Sequence, residues 1–157
     1  MTIDLIVVGK TDSKQVDALV ETYTKRISFY NRFAITYLPD AKNTKNLTEA
    51  QQKRVEGEAL LRQIGDGDHL VLLDERGAEF RSIEYAEWLQ KRMNSGVRRL
   101  VFVIGGPYGF SEAVYARANE RISLSKMTFS HQIIRAIFAE QLYRAFTIIR
   151  HEPYHHE

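Results

Sequence analysis

Residues 100–109 read LVFVIGGPYG, an apolar run that leads directly into a turn rich in glycine. The run at 100–104 has the length and character of a buried β-strand. After the turn, Ser111 is placed to cap a short helix that reaches about residue 118. A strand, a sharp turn and a helix in this order are typical of an α/β protein.

The same alternation extends in both directions along the 157 residues, a length that suits a single domain of residues 1–157. It predicts further strands at 3–8, 33–38, 70–73 and 122–124, and further helices at 12–30, 48–64, 82–94 and 130–149. Asp12 with Gln15 and Thr48 with Gln51 have capping-box spacing, and Ser82 and Ser130 are predicted caps. Because strands separated by helices need crossover connections, we expect a mainly parallel sheet with helices on both faces.

The composition excludes several function classes. The chain has no cysteine, so disulfides, thiolate metal sites and a cysteine nucleophile are ruled out. No segment approaches the roughly 20 apolar residues that span a bilayer, and the N-terminus lacks a secretory core. We therefore expect a cytoplasmic protein with no membrane partner. The net charge of +2 does not by itself indicate a nucleic-acid partner.

Three loops follow predicted strands, at 74–77, 105–109 and 125–130. Ligands of parallel sheets bind beyond the carboxyl ends of the strands, so these loops predict a site. Each also has a simpler interpretation: a polar turn at 74–77, a tight strand-to-helix turn at 105–109 and a helix-capping loop at 125–130. The glycine spacing is neither the dinucleotide fingerprint nor a P-loop.

The last helix is apolar on more than one side. A surface helix usually has one apolar stripe, so this width favours burial against a second subunit or inside the core of a monomer. Arg135 is interpreted as a phosphate contact or a solvated side chain, and Glu140 with Arg144 as a helix-surface pair. The tail from His151 to Glu157 is either an ordered lid or a frayed end. Adjacent His155 and His156 are weak evidence for a metal, and we expect none.

Across nearly its whole length the chain resembles the ribosomal RNA large-subunit methyltransferase H family, of the knotted (SPOUT) class. The motifs that carry the resemblance lie at 3–9, 72–74 with Gly77, 102–106 with Gly109, 124–129, His131, Arg135, 140–145 and 153–155.

The resemblance implies an α/β fold whose C-terminal part is threaded as a trefoil knot. It also implies a homodimer that uses S-adenosylmethionine to methylate N3 of a pseudouridine in 23S rRNA, within the assembled ribosome. By the same resemblance, the cofactor-binding residues are Leu73, Gly105, Leu124, Ser125, Lys126, Met127, Thr128 and Phe129.

The base that removes the imino proton of the acceptor is left open among His131, Arg135, Tyr154 and His155. In a dimer, the tail of one subunit can close over the cofactor of the other. Contacts with the RNA backbone are predicted for Lys42, Lys45, Lys53 and Arg54, with a solvated basic face as the alternative. A regulatory nucleotide-binding domain and a non-catalytic ribosome assembly factor are the rival functions.

Overall fold

Strands and helices alternate along the chain as the sequence predicts. The computed structural model describes residues 1–41 and 46–157. Its strands are β1 (Thr2–Val8), β2 (Phe33–Leu38), β3 (His69–Glu79), β4 (Arg99–Ile104) and β5 (Glu120–Ser123). Its helices are α1 (Lys14–Ile27), α2 (Glu49–Leu61), α3 (Ser82–Asn94), α4 (Glu112–Arg117) and α5 (Ile133–Ile149).

The strands form one sheet in the order β2-β1-β4-β3-β5, and every neighbouring pair is parallel. Side chains of β4 alternate between its two faces, with Phe102 in one core and Val103 in the other. Helices α1, α3 and α5 cover the first face, and α2 and α4 cover the second. The predicted α/β architecture with helices on both faces is therefore confirmed, and the trefoil threading remains a prediction.

Helix α5 buries one apolar stripe within its own chain. Phe138, Leu142, Ala145 and Phe146 are at most 2% exposed, in the core that the sheet shares with α1 and α3. Ile133, at the start of the helix, is 37% exposed. Burial of the remaining apolar surface against a second subunit therefore stays a prediction.

Strand β3 differs most from its prediction. The sequence suggests that it ends before residues 74–77, but it continues to Glu79 and pairs with β5 on both sides of an irregularity between Leu73 and Ala78. A side chain at Gly77 would place its Cβ 2.6 Å from the backbone of Arg121 and Ile122. Glycine therefore allows the two backbones to touch, and residues 74–76 bulge from the strand instead of ending it.

Several predicted helix starts are shifted. The α1 cap is Ser13, whose Oγ accepts from the N–H of Val16, so the box expected from Asp12 is wrong. Thr48 and Gln51 form the predicted box at α2, and Ser111 caps α4. Ser82 is the first residue of α3 rather than its cap. At α5 the helix begins at Ile133, where Ser130 Oγ accepts from the backbone N–H.

Candidate active site

The three predicted loops meet in one cleft at the carboxyl ends of β3, β4 and β5. Its volume is about 740 Å³, within the roughly 300–1,000 Å³ that is usual for small-molecule sites. The start of α5 and one residue of α2 complete its walls. The lining residues are Lys53, 73–76, 104–110, Tyr115, Leu124, Ser125, 128–131 and Ile134.

Hydrogen bonds connect the loop after β5 to the bulge of β3. Thr128 Oγ1 donates to Glu75 Oε2 at 3.2 Å, which joins two walls of the cleft. Ser125 Oγ accepts from the N–H of Met127 at 2.9 Å, and its carbonyl accepts from Ser123 Oγ at 2.9 Å. The loop is therefore a shaped wall of the cleft and more than a helix cap.

Six of the eight predicted cofactor residues line this cleft: Leu73, Gly105, Leu124, Ser125, Thr128 and Phe129. The side chains of Lys126 and Met127 do not. Met127 is 77% exposed, and Lys126 extends into solvent with its Nζ 3.6 Å from Glu79 Oε1. Any contact of these two residues with a ligand of this cleft would need a movement of the loop or use the backbone.

Among the four candidate bases, only His131 borders the cleft. It lies just before α5, opposite the glycine turn, and its side chain is exposed. Imidazole is the side chain that most often exchanges protons near neutral pH. The geometry therefore favours His131 over the other three candidates.

Arg135 is neither a solvated side chain nor an open phosphate contact. It is 2% exposed, and its guanidinium donates to the carbonyls of Val8, Gly9 and His131 and to Thr11 Oγ1, at 2.8–3.0 Å. Burial lowers its pKa from the ordinary arginine value. The arrangement gives Arg135 the role of holding the segment around His131 against the end of β1.

The C-terminal tail packs on its own subunit. Tyr154 Oη donates to Glu140 Oε1 at 2.9 Å, and its ring meets Tyr143 edge-on at 4.8 Å. Arg144 donates to Glu140, as the helix-pair interpretation predicted, and also to His155 Nδ1 at 3.1 Å. Since arginine can only donate, the neutral imidazole of His155 carries its proton on Nε2.

These contacts place Tyr154 and His155 away from the cleft of their own subunit, whose lining includes neither. Burial and hydrogen bonds with Tyr23 and Glu140 raise the pKa of Tyr154 well above its ordinary value. A phenol with so high a pKa stays protonated at neutral pH, so it has no phenolate to accept a proton.

Two cleft residues escaped the sequence interpretation, namely Tyr108 and Tyr115. Tyr115 lies on α4, where its ring packs edge-on against Phe110 and its hydroxyl donates to Asp74 Oδ2 at 2.6 Å. Burial and this bond raise its pKa to about 12, so it remains a donor. Both could have been predicted from the sequence, since Tyr108 lies in the glycine turn and Tyr115 in the helix that follows it, and such a segment borders the ligand site.

The four basic residues predicted to contact the RNA backbone are not grouped at the cleft. Lys53 borders the cleft, Arg54 is exposed on α2, and Lys42 and Lys45 lie outside the described residues. In residues 1–41 and 46–157, no group of three or more histidine and carboxylate side chains is placed to hold a metal ion. No helix in the same part of the chain is long and apolar enough to cross a membrane.

Comparison with known proteins agrees with this fold. A family model described as "Predicted SPOUT methyltransferase" matches residues 1–155. Ribosomal RNA large subunit methyltransferase H of Flavobacterium johnsoniae is 58% identical over 157 residues, which is all of both chains. The proteins of the same name from Christiangramia forsetii and Parabacteroides distasonis are 58% and 57% identical, over 99% and 100% of each chain.

The match of this family model over residues 1–155, on a chain that folds as an α/β sheet, places the chain in the SPOUT class of methyltransferases. Within that class, the chain belongs to the ribosomal RNA large subunit methyltransferase H family.

Proposed function

We propose that this chain, as a single-domain cytoplasmic enzyme, methylates N3 of a pseudouridine in 23S rRNA of the assembled 70S ribosome, with S-adenosylmethionine as methyl donor. The observation that carries the proposal is the meeting of the three strand-end loops in one cleft of about 740 Å³. The names of the full-length relatives support large-subunit rRNA as the substrate.

The residues of the cleft suit the adenosine part of S-adenosylmethionine. The floor is made of Leu73, Ile104, Gly105 and Leu124, which are buried or half-buried and largely apolar. Such a surface suits an adenine ring, with backbone groups available for its polar edge. When bound, the cofactor supplies an already activated methyl group, so the protein has mainly to align the acceptor and exclude water.

The acceptor nitrogen must lose its imino proton as the new N–C bond forms. In this proposal His131 accepts that proton, because its exposed side chain borders the cleft. Arg135 acts on this step indirectly, through its bond to the carbonyl of His131 at 2.9 Å. The transfer needs no metal to activate the methyl group, because the sulfonium sulfur takes the electron pair of the breaking C–S bond and leaves as a neutral thioether.

A homodimer is part of the proposal. Tyr154 and His155 do not line the cleft of their own subunit, so any role for them in catalysis requires a second subunit whose cleft they reach. Ile133 and Phe129, which are 37% and 38% exposed beside the cleft, are apolar surface that such a partner can cover. Sedimentation equilibrium measures this directly, and an active monomer would contradict it.

The decisive experiment incubates the purified chain with methyl-labelled S-adenosylmethionine and 70S ribosomes that lack the modification. We expect label in 23S rRNA at one pseudouridine, located by mass spectrometry of nuclease fragments, and less label with separated subunits. Binding of the cofactor without transfer would favour a regulatory domain. Binding of ribosomes without transfer would favour an assembly factor.

The role of His131 is tested with His131→Ala. Loss of a general base should lower kcat about 10²–10⁴-fold and remove the corresponding limb of the pH–rate profile, with cofactor affinity largely kept. Gln90→Ala is the control, because Gln90 is exposed on α3 and does not line the cleft. An unchanged kcat for His131→Ala excludes it as the base.

A further inference from the structure

Tyr108 projects from the glycine turn at the rim of the cleft. It is 45% exposed and borders the cleft directly. Of the other three aromatic residues of the cleft, Phe110 and Tyr115 pair with each other, and the Tyr115 hydroxyl is occupied by Asp74. The third, Phe129, lies in the loop that is proposed to hold the cofactor. Within the described residues, the Tyr108 ring is paired with no other aromatic ring and its hydroxyl has no hydrogen-bond partner.

The turn that carries Tyr108 is closed by a backbone hydrogen bond. The N–H of Gly109 donates to the carbonyl of Gly106 at 3.1 Å, which makes a four-residue turn with Pro107 and Tyr108 at its centre. Gly109 has φ of +81°, a conformation that a side chain would strain, and Pro107 fixes its own φ. These features restrict the backbone that carries the ring, so less backbone freedom is lost when a ligand packs on it.

Burial divides the cleft into two zones. The floor contains Ile104, which is 5% exposed, with half-buried Gly105 and Leu124 beside it. The rim contains exposed Tyr108 and Arg76 together with half-buried Lys53. An unpaired aromatic ring with basic side chains along the same cleft is a combination by which proteins bind unstacked nucleotides, because the ring stacks on the base and the cations contact phosphates.

We propose that the Tyr108 ring is a stacking platform for an RNA base drawn out of its stem-loop, which it holds over the cofactor cleft. The inference rests on the proposed function and adds to it a binding residue for the RNA substrate. Enzymes that modify a base must take it out of the stack, and an aromatic surface at the site offsets part of that cost. The alternative occupant of the ring is the adenine of the cofactor.

The test uses three variants: Tyr108→Leu, which keeps apolar bulk but removes the aromatic face, Tyr108→Phe, which keeps the face, and Phe29→Leu. Phe29 is the matched control, since it is 79% exposed and lies before the amino end of β2. The cleft lies at the carboxyl ends of other strands. Steady-state methylation of 70S ribosomes gives KM and kcat. Calorimetry with S-adenosylhomocysteine gives the cofactor-site Kd and also shows that each variant is folded.

We expect Tyr108→Leu to raise KM for ribosomes about tenfold and leave the Kd for S-adenosylhomocysteine within twofold of the parent. Tyr108→Phe and Phe29→Leu should keep the parental KM. An unchanged KM in Tyr108→Leu overturns the proposal. Weaker binding of S-adenosylhomocysteine by Tyr108→Leu also overturns it, because the ring would then belong to the cofactor site. An increase of KM in Tyr108→Phe as large as that in Tyr108→Leu overturns it as well, because the effect would then come from the hydroxyl.

Cosedimentation with 70S ribosomes separates this inference from the proposed function. If the parent chain transfers no methyl group, the proposed function fails, but the Kd for ribosomes can still be compared between the parent and Tyr108→Leu. A tenfold weaker Kd in the variant would support the platform, and equal values would overturn it.

Discussion

The amino and carboxyl ends of the parallel strands differ in how their polar side chains are used. At the amino ends, the polar side chains form hydrogen bonds and ion pairs with one another. Glu120 accepts from Arg92 and from Trp88 Nε1, and it also contacts His69 Nε2 at 2.6 Å. Beside it, Arg99 donates to Asp4, Asp68 and the carbonyl of Gln63.

At the carboxyl ends the chain instead leaves groups free to meet a ligand. The glycine turn, the β3 bulge and the loop before α5 surround a cleft of about 740 Å³. Tyr108 and His131 stand at its border with exposed side chains. The amino ends of the strands therefore stabilise the fold, and the carboxyl ends surround the cleft. This is the division expected of parallel sheets, in which ligands bind beyond the carboxyl ends of the strands. Changes at the two ends of the strands should have separable effects.

The largest effect is expected from Gly77→Ala, at the carboxyl ends of the strands. The added methyl group would overlap the backbone of β5, so β3 and β5 must separate and the wall formed by residues 74–76 must shift. We expect the free energy of unfolding to fall by about 3 kcal/mol, at the upper end for overpacking, and cofactor binding to be lost. Urea titration and calorimetry measure the two quantities.

Gly67→Ala is the control for that change, because a Cβ at Gly67 would meet nothing within 4 Å. Equal stability of the two variants would mean that the contact between β3 and β5 adapts easily, and the β3 bulge would then not depend on glycine.

A smaller effect is expected from Glu120→Gln, at the amino ends of the strands. Burial raises the pKa of Glu120, but hydrogen bonds from Arg92, Trp88 and His69 outweigh burial and lower it from 4.5 to about 2. The carboxylate is partly in solvent, so we expect a loss of about 1 kcal/mol at pH 7 and an unchanged Kd for the cofactor.

The pH dependence of that loss follows from the lowered pKa. The stabilisation by Glu120 is fully present above pH 4.5 and disappears as the pH falls towards 2, so the difference between the parent and Glu120→Gln should shrink over that interval. Denaturation midpoints at several pH values measure it. Glu87→Gln, an exposed change on α3, should show no such trend. A constant difference would contradict the ion-pair explanation.

The smallest effect is expected from Tyr115→Phe, which removes the hydrogen bond to Asp74 in the cleft wall. The bond is partly exposed, so cofactor affinity should fall about twofold. With the pKa of Tyr115 raised to about 12, the size of the effect should be the same from pH 6 to 9. Calorimetry at three pH values, with Tyr37→Phe as control, would detect a departure from either expectation.

Much of the fold could be predicted because its signals are local. The apolar runs of β1, β2 and β4 and the caps at Thr48 and Ser111 depend only on neighbouring residues. The bulge in β3 could not be predicted in this way, since its cause is the contact of Gly77 with β5, more than 40 residues further along the chain. A glycine after polar residues reads as a turn unless the partner strand is known.

The candidate site was predictable to the same degree. The three loops could be located because the carboxyl ends of parallel strands share an edge. The roles of individual side chains could not, because burial decides them. Arg135 was interpreted as solvated or phosphate-binding, whereas its guanidinium lies under the end of β1. Tyr154 and His155 contact α5 of their own chain, so their role in catalysis stays a prediction that needs a second subunit.

The contact of Arg135 with Gly9 has a consequence for biosynthesis. It joins positions 126 residues apart in the chain, so it forms only after the chain has been synthesised past Arg135. Until then the carbonyls of Val8 and Gly9 lack this partner, and the segment before α5 lacks this contact with the end of β1. The cleft is therefore completed late in synthesis, when contacts distant in the sequence become available.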